Sequence, residues 1–289
     1  MKLLRKSLRM QSGRGAQAAF TMIEIALSLA VIGFALVAII GVLPTGMSVQ
    51  KDNREDTVIS MDATYLMEAL RSGARGPDLL TNHIVCITNY SYFYSGPSNL
   101  PLTTNINWFT TSNYYIDLVP YGGSYLTNSS NVIGLISIPK YFFDLNTNSF
   151  RSNFTTADFR AMSSPLIDQG TNQSSRDFAF TYRLFPQIIP YSQHDSEWTN
   201  FSSASLTPVQ VTNRQVAFAE TINLRNNLHE MRLRFEWPVL PVRNGDTGNK
   251  RQVFRTLASG SLLHTNEGKA GTTELWFIQP QAYSTNQIQ

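Results

Sequence analysis

Ile25 to Leu43 reads IALSLAVIGFALVAIIGVL, nineteen residues with no charge and with Ser28 as the one polar interruption. As a helix, a run of that length spans the hydrocarbon core of a bilayer. Lys2, Arg5, Lys6, Arg9 and Arg14 all precede the first acid, Glu24. By the positive-inside rule they hold the N-terminal end in the cytoplasm and send the C-terminal bulk outward, as a single N-in span. These five cations also explain the balance of 23 Lys and Arg against 20 Asp and Glu, since without them the chain is slightly acidic. The basic character therefore belongs to the N-terminal tip, and no nucleic acid is expected as a partner. The 289 residues leave ample room for a hydrophobic core, and the single cysteine, Cys86, excludes an intrachain disulfide.

A secretory signal peptide shares the basic start and the apolar run, but its apolar region is shorter and a small-residue cleavage site follows it. Here the run is followed by PTGMSVQKDNRED, with no such site, and the small residues come before it, in GRGAQAA from Gly13 to Ala19. Next comes Phe20-Thr21-Met22-Ile23-Glu24. On these residues the chain resembles the type IV prepilin family, whose members carry a basic leader, a small residue, and F-T-x-x-E opening a hydrophobic helix. The resemblance covers about the first 50 residues. It implies that a prepilin peptidase cuts between Ala19 and Phe20 and methylates the new Phe20 amine. The family usually has Gly before the cut, where this chain has Ala19.

Glu24 has two readings. Thr21-Met22-Ile23-Glu24 fits S/T-x-x-E, a capping box in which the threonine hydroxyl accepts from the third helical amide and the glutamate accepts from the threonine amide. A carboxylate beside this nineteen-residue charge-free run is nevertheless costly if it goes deep into the membrane. The resemblance supplies a second role: after cleavage, Glu24 pairs with the Phe20 ammonium of a neighbouring subunit and sets the axial register. At ~4 Å and an effective dielectric of ~20, such a pair is worth about 4 kcal/mol before desolvation is subtracted. Thr21 and Glu24 are thus the expected assembly residues, and the two roles are compatible.

The sequence predicts an α+β chain in which a long N-terminal helix, membrane-spanning in its first half, packs on an antiparallel β-sheet domain. Residues 1–19 are read as the leader, 20–49 as the transmembrane and assembly helix, 50–76 as its amphipathic continuation, and 77–289 as a β-rich extracytoplasmic domain. Gly41, Pro44 and Gly46 predict a kink or melted turn. From Val58 the positions Val58, Met61, Tyr65 and Ala69, with Ile59, Leu66 and Leu70, recur at helical spacing and require a partner surface. Ser72-Gly73, ahead of Gly76-Pro77, marks the stop. From Thr21 to Arg71 the helix would run roughly 75 Å at about 1.5 Å per residue.

His83-Thr88, Tyr114-Val119 and Val132-Ile138 read as short strands between polar loops rich in Asn, Ser and Thr. Phe178-Leu184 alternates. Glu230-Trp237 alternates most clearly, with Met231, Leu233, Phe235 and Trp237 facing a core and Glu230, Arg232, Arg234 and Glu236 facing water. A loop containing Asn244-Gly245 leads to Gln252-Leu257, its expected antiparallel partner, and Glu274-Ile278 is read as a closing strand. The strand ending in Trp-Pro, the glycine-bearing loop and R-x-x-F-R-T-L are similar to the C-terminal part of minor pilins and type II secretion pseudopilins.

Signals for catalysis are poor, and no enzyme is expected. His83, His194, His229 and His264 are scattered without H-E-x-x-H, and one cysteine forbids C-x-x-C. His194-Asp195-Ser-Glu197 reads as a solvated loop. Asp144-Leu-Asn146-Thr-Asn148 begins like a calcium loop, but Ser149 replaces the glycine and Thr155 the bidentate glutamate. No cofactor is expected; the resemblance leaves open a weak calcium site in another loop, since some pseudopilins hold one. Sequons such as Asn128-Ser-Ser130 and Asn153-Phe-Thr155 follow from composition. Tyr90, Tyr92, Phe93, Tyr94, Tyr114 and Tyr115 would form a carbohydrate or adhesive surface if exposed, and core if buried. The resemblance implies a minor pilin or pseudopilin of a type IV pilus-like or type II secretion filament, set in the inner membrane with its domain in the periplasm or on the cell surface. Its partners would be the prepilin peptidase, other pilin or pseudopilin subunits, the inner-membrane assembly platform and the membrane itself. The competing reading is a membrane-anchored envelope protein whose β-rich domain binds a ligand or carbohydrate.

Overall fold

The computed structural model describes residues 21–73, 80–95, 103–110, 125–144, 149–163, 181–192, 206–239, 246–267 and 273–280. Ala19, Phe20, Gly76-Pro77, Tyr114-Val119, Phe178, Phe180, His194-Glu197 and Asn244-Gly245 lie outside them. The chain divides into two compact units at Glu55/Asp56.

Among the described residues the first unit is one helix. Helix α1 begins at Met22 and, counting its continuation in the second unit, is assigned from Met22 to Ser72. It stays helical through Pro44, so the expected melted turn does not form. Proline removes one backbone bond, and the remaining backbone bonds on either side keep the helix continuous past it, as in membrane helices.

The second unit is α+β. From Asp56 onward α1 buries Val58, Ile59, Ala63, Leu66, Ala69 and Leu70, while Met61, expected on the same face, is exposed. The spacing of 58, 59, 63, 66 and 70 points one stripe at the sheet and turns position 61 away from it. Gly73 ends the helix at φ 71, where a side chain would also run into the Ile278 carbonyl.

A helical turn, α2 (Leu80–His83), leads into β1 (Ile84–Ser95), followed by β2 (Thr103–Thr110). Next come α3 (Ser129–Ile136), β3 (Tyr141–Asp144), β4 (Ser149–Arg160) and β5 (Thr181–Pro190). Helix α4 (Pro208–Asn227) precedes β6 (Leu228–Val239), β7 (Thr247–Ser259), β8 (Ser261–Glu267) and β9 (Thr273–Gln279). Seven strands form an antiparallel sheet in the order β2-β1-β4-β5-β6-β7, with β3 beside β4. The expected pairing of the two C-terminal arginine-rich strands is present, with Leu233 opposite Phe254 and Phe235 opposite Gln252. One face of this sheet carries Ala157, Phe159, Tyr182, Leu184, Met231, Leu233, Phe235 and Trp237 into a single core with the second half of α1.

Three expectations are corrected. Val132–Ile138 is not a strand: residues 129–136 form α3, with Val132 to Ile136 buried. A short continuous apolar run does not distinguish helix from strand. The deciding signal is Asn128, whose side chain accepts from the Ser130 amide at 2.9 Å as an N-cap. Glu274–Ile278 does not close the main sheet: β9 pairs with β8 in a separate two-stranded sheet. Gly260, at φ 123, makes the turn that separates β8 from β7, and its amide donates to the Asn227 carbonyl at 2.8 Å. Finally, α4 fills part of a region read as strands and loops. Thr207, Pro208 and Gln210 start it with a capping box and a proline in the first turn.

Candidate functional site

Helix α1 opens with the capping box its sequence predicts. The Thr21 amide and hydroxyl donate to Glu24 Oε2 at 3.1 and 3.0 Å, and the Glu24 amide donates to Thr21 Oγ1 at 3.4 Å. The Thr21 carbonyl accepts from the Ile25 amide at 3.2 Å, so the helix is wound from its first residue. Both glutamate bonds use Oε2. Among the described residues Oε1 accepts none, and it is available for a further partner.

From Met22 to Val49 every large apolar side chain is exposed, Phe34 at 80% and Val37 at 72%. The exposure runs around the whole helix and is not confined to one stripe. Such a surface fits lipid or other helices, not water. The helix is long and apolar enough to cross a membrane, and none of its apolar window is buried. Ala19 and Phe20, the expected processing residues, lie outside the described residues.

In the second unit the sequence reading overlooked Asp62. This carboxylate is fully buried on the inner face of α1. It accepts from the Met162 amide at 2.8 Å, the Ser163 amide at 2.9 Å and the Ser163 hydroxyl. Burial, and then the Asp62 carboxylate, push the Tyr182 hydroxyl well above its ordinary pKa. Asp62 thus bonds α1 to the backbone that follows β4. An acid on an otherwise apolar helical face is the one sequence signal that marks it.

Two charged pairs tie strands together, one within the main sheet and one between the two sheets. Arg183 forks Asp158 at 2.6 and 2.8 Å between β5 and β4. Cys86 lies 3.6 Å from the same carboxylate, and burial and Asp158 push its thiol up to about 12. Arg151 Nη1 donates to Glu274 Oε1 at 2.7 Å and its Nη2 to Oε2, joining β4 to β9. Burial opposes ionisation of Glu274, but the Arg151 bonds and charge prevail and hold its carboxyl below the usual range. His264 stacks on Trp276 with centroids 4.3 Å apart and lies 3.8 Å from Glu274.

The remaining candidates separate. Asp144 ends β3 opposite Ser149 of β4, so paired strands flank the calcium-like stretch. Among the described residues no three His, Cys, Asp or Glu side chains gather as metal ligands. Asn153 of the second sequon is buried in β4, its amide donating to the Pro139 carbonyl at 2.8 Å. Of the aromatic run, register places Tyr90, Tyr92 and Tyr94 on the face of the sheet turned away from α1, and Phe93 on the other face, where Arg151 lies 5.6 Å over its ring. Comparison with protein-family profiles, characterised proteins and solved structures finds no match to the chain.

Proposed function

We propose that the chain is a structural subunit, a minor pilin or pseudopilin, of a type IV pilus-like or type II secretion filament. The observation that carries this reading is the motif Ala19-Phe20-Thr21-Met22-Ile23-Glu24 at the head of a helix whose apolar surface is exposed on every side from Met22 to Val49. A prepilin peptidase removes residues 1–19 at the cytoplasmic face and methylates Phe20. The helix then anchors the subunit in the inner membrane, N-in, with the second unit in the periplasm.

Assembly exchanges lipid contacts of the stem for contacts with other stems, through head-to-tail interfaces that do not close and so extend into a filament. In this scheme Glu24 keeps its capping bonds through Oε2 and offers Oε1 to a neighbour's Phe20 ammonium, which fixes the axial step. The assembly platform of the inner membrane extracts the subunit. No enzymatic step and no cofactor enter the proposal.

Mass spectrometry of the protein extracted from its native membrane tests it. The expected mature chain begins at Phe20 with a methylated amine and lacks five positive charges. An intact 1–19 segment in cells with an active prepilin peptidase would overturn the assignment.

A further inference from the structure

The sheet face turned away from α1 carries a pattern that the filament reading leaves unused. Alternation along each strand and the register between strands fix which residues share it. Tyr90 of β1 lies opposite Ile106 of β2 and Phe154 of β4. The Tyr90 and Phe154 rings are 6.1 Å apart, and Phe154 is 5.8 Å from Phe185 of β5. Two residues further along β1, Tyr92 lies between Thr104 and Ser152, and Ser152 lies opposite Tyr141 of β3. This row brings a hydroxyl from each of four strands. In the next row Tyr94 lies 5.7 Å from Phe150, which stacks on Tyr141 at 5.9 Å. Ile106 is 46% exposed, and Tyr141, Phe150 and Phe154 are each 38% exposed.

Clustered exposed rings of this kind mark a binding surface. A row of hydroxyls between two rows of rings does not suit a lipid tail, which offers no hydrogen-bonding group. The border is cationic. Lys140 Nζ is 5.2 Å from the Tyr141 ring, and the Arg234 guanidinium is 4.0 Å over Phe185. Arg232 lies directly opposite Arg255 of β7, a like-charge pair that the neighbouring Glu230 carboxylate offsets. Glu230 forks Arg232 at 2.7 Å with both oxygens, and Arg251 and Arg255 are exposed.

We propose that this face binds an extended acidic polysaccharide, a chain of pyranoses bearing carboxylates. The C–H face of a pyranose packs on an aromatic ring, its hydroxyl edges bond the hydroxyl row, and its carboxylates meet the exposed guanidinium groups of Arg251 and Arg255. Glu230 and Glu236 stand among those arginines, so the border suits widely spaced carboxylates and not the closely spaced phosphates of a nucleic acid. The proposal does not depend on the filament reading.

The test is affinity electrophoresis of the full chain in detergent, in gels containing polygalacturonate, with dextran and oligothymidylate as comparison polymers. Polygalacturonate should retard the protein at least about tenfold more strongly than either comparison polymer, and Phe154→Ala and Tyr141→Ala should each weaken retardation about tenfold. Arg234→Gln should flatten the dependence of binding on salt. Each variant is checked by its unfolding transition, and a variant that has lost it is replaced by Phe150→Ala. Absence of retardation by polygalacturonate, or equal retardation of folded Phe154→Ala, would overturn the proposal. Tighter binding of oligothymidylate would assign the face to nucleic acid, and a dimer that Phe154→Ala dissociates without glycan would assign it to a second copy.

Discussion

Replacing Asp62 by alanine should destabilise the second unit far more than any exposed charge on α1. Asp62 is 0% exposed and accepts three bonds, two of them from backbone amides of Met162 and Ser163. Alanine leaves both amides without their acceptor, and a buried unsatisfied donor costs about 1–3 kcal/mol, so the expected loss is about 3–5 kcal/mol. Against a total stability of about 5–15 kcal/mol that is a large share. Asp62→Asn is nearly isosteric and keeps one amide oxygen as acceptor but turns an NH2 toward the other donor, so it should cost about half as much. The assay is urea unfolding of residues 50–289, followed by far-ultraviolet circular dichroism and tryptophan fluorescence, with the exposed Glu68→Ala as reference. A loss under about 1 kcal/mol for Asp62→Ala would show that water replaces the carboxylate freely, and would refute the argument that it fastens α1 to the sheet.

Residues 50–289 should fold as a soluble monomer with both helix and strand signals, because the exposed apolar stem ends near Val49; sedimentation and circular dichroism check this, and aggregation from every nearby start point would contradict it. His229, 2% exposed in β6, is lowered to about 4 by burial, which a bond with the Gly260 backbone only partly opposes. Its folded pKa lies below the ordinary 6.5 of the unfolded chain, so the stabilisation is complete above that value and is lost as pH falls toward about 4, by about 3 kcal/mol in all. His229→Gln should flatten the unfolding free energy over this window, and an unchanged slope would argue against a buried neutral imidazole. Glu24→Ala should abolish filament incorporation while processing and insertion continue, whereas loss of a cap alone costs about 1 kcal/mol and leaves filaments intact. Glu24→Gln, which keeps a capping box without a charge, should behave like alanine; normal incorporation of both variants would refute the register role.

Much of the architecture was legible because a few segments carry a period strong enough to act alone. The charge-free run, the Thr21/Glu24 spacing, the alternation of 230–237 and the Ser72-Gly73 stop each correspond to the element expected. The failures lie where tertiary context decides. Val132 to Ile136 is apolar throughout, and its helix comes from the Asn128 cap and from packing of Gly134 against Leu275 and Phe277, residues distant in sequence. Helix α4 had its start signal in Thr207-Pro208-Gln210, but Asn, Thr and β-branched residues dilute its period. Nothing local places β9 with β8 and apart from the main sheet, because a single strand does not encode its neighbour. The outer aromatic face was half visible: alternation puts Tyr90, Tyr92 and Tyr94 together, but whether they meet core or water depends on which face α1 covers.

The two stretches of α1 obey different rules, and the difference bears on what the helix can do. Up to Val49 the large apolar side chains point in every direction, so no rotation about the helix axis is preferred by burial, and contacts with lipid and with other apolar helices are nearly equivalent. Beyond Asp56 the apolar residues fall on one stripe and Asp62 adds bonds whose donors occupy fixed positions, so rotation and register against the sheet are both determined. Under the proposed reading the stem needs some directional feature to define its position among other stems, since packing of Leu, Val and Ile with one another discriminates weakly along the axis. In the described part of the stem Glu24 is the charged group beside the apolar run, and its Oε1 is uncommitted. Under the proposed filament reading, axial specificity is concentrated at the first turn of the helix, and a substitution there is expected to affect assembly while leaving membrane insertion and the folded domain unchanged.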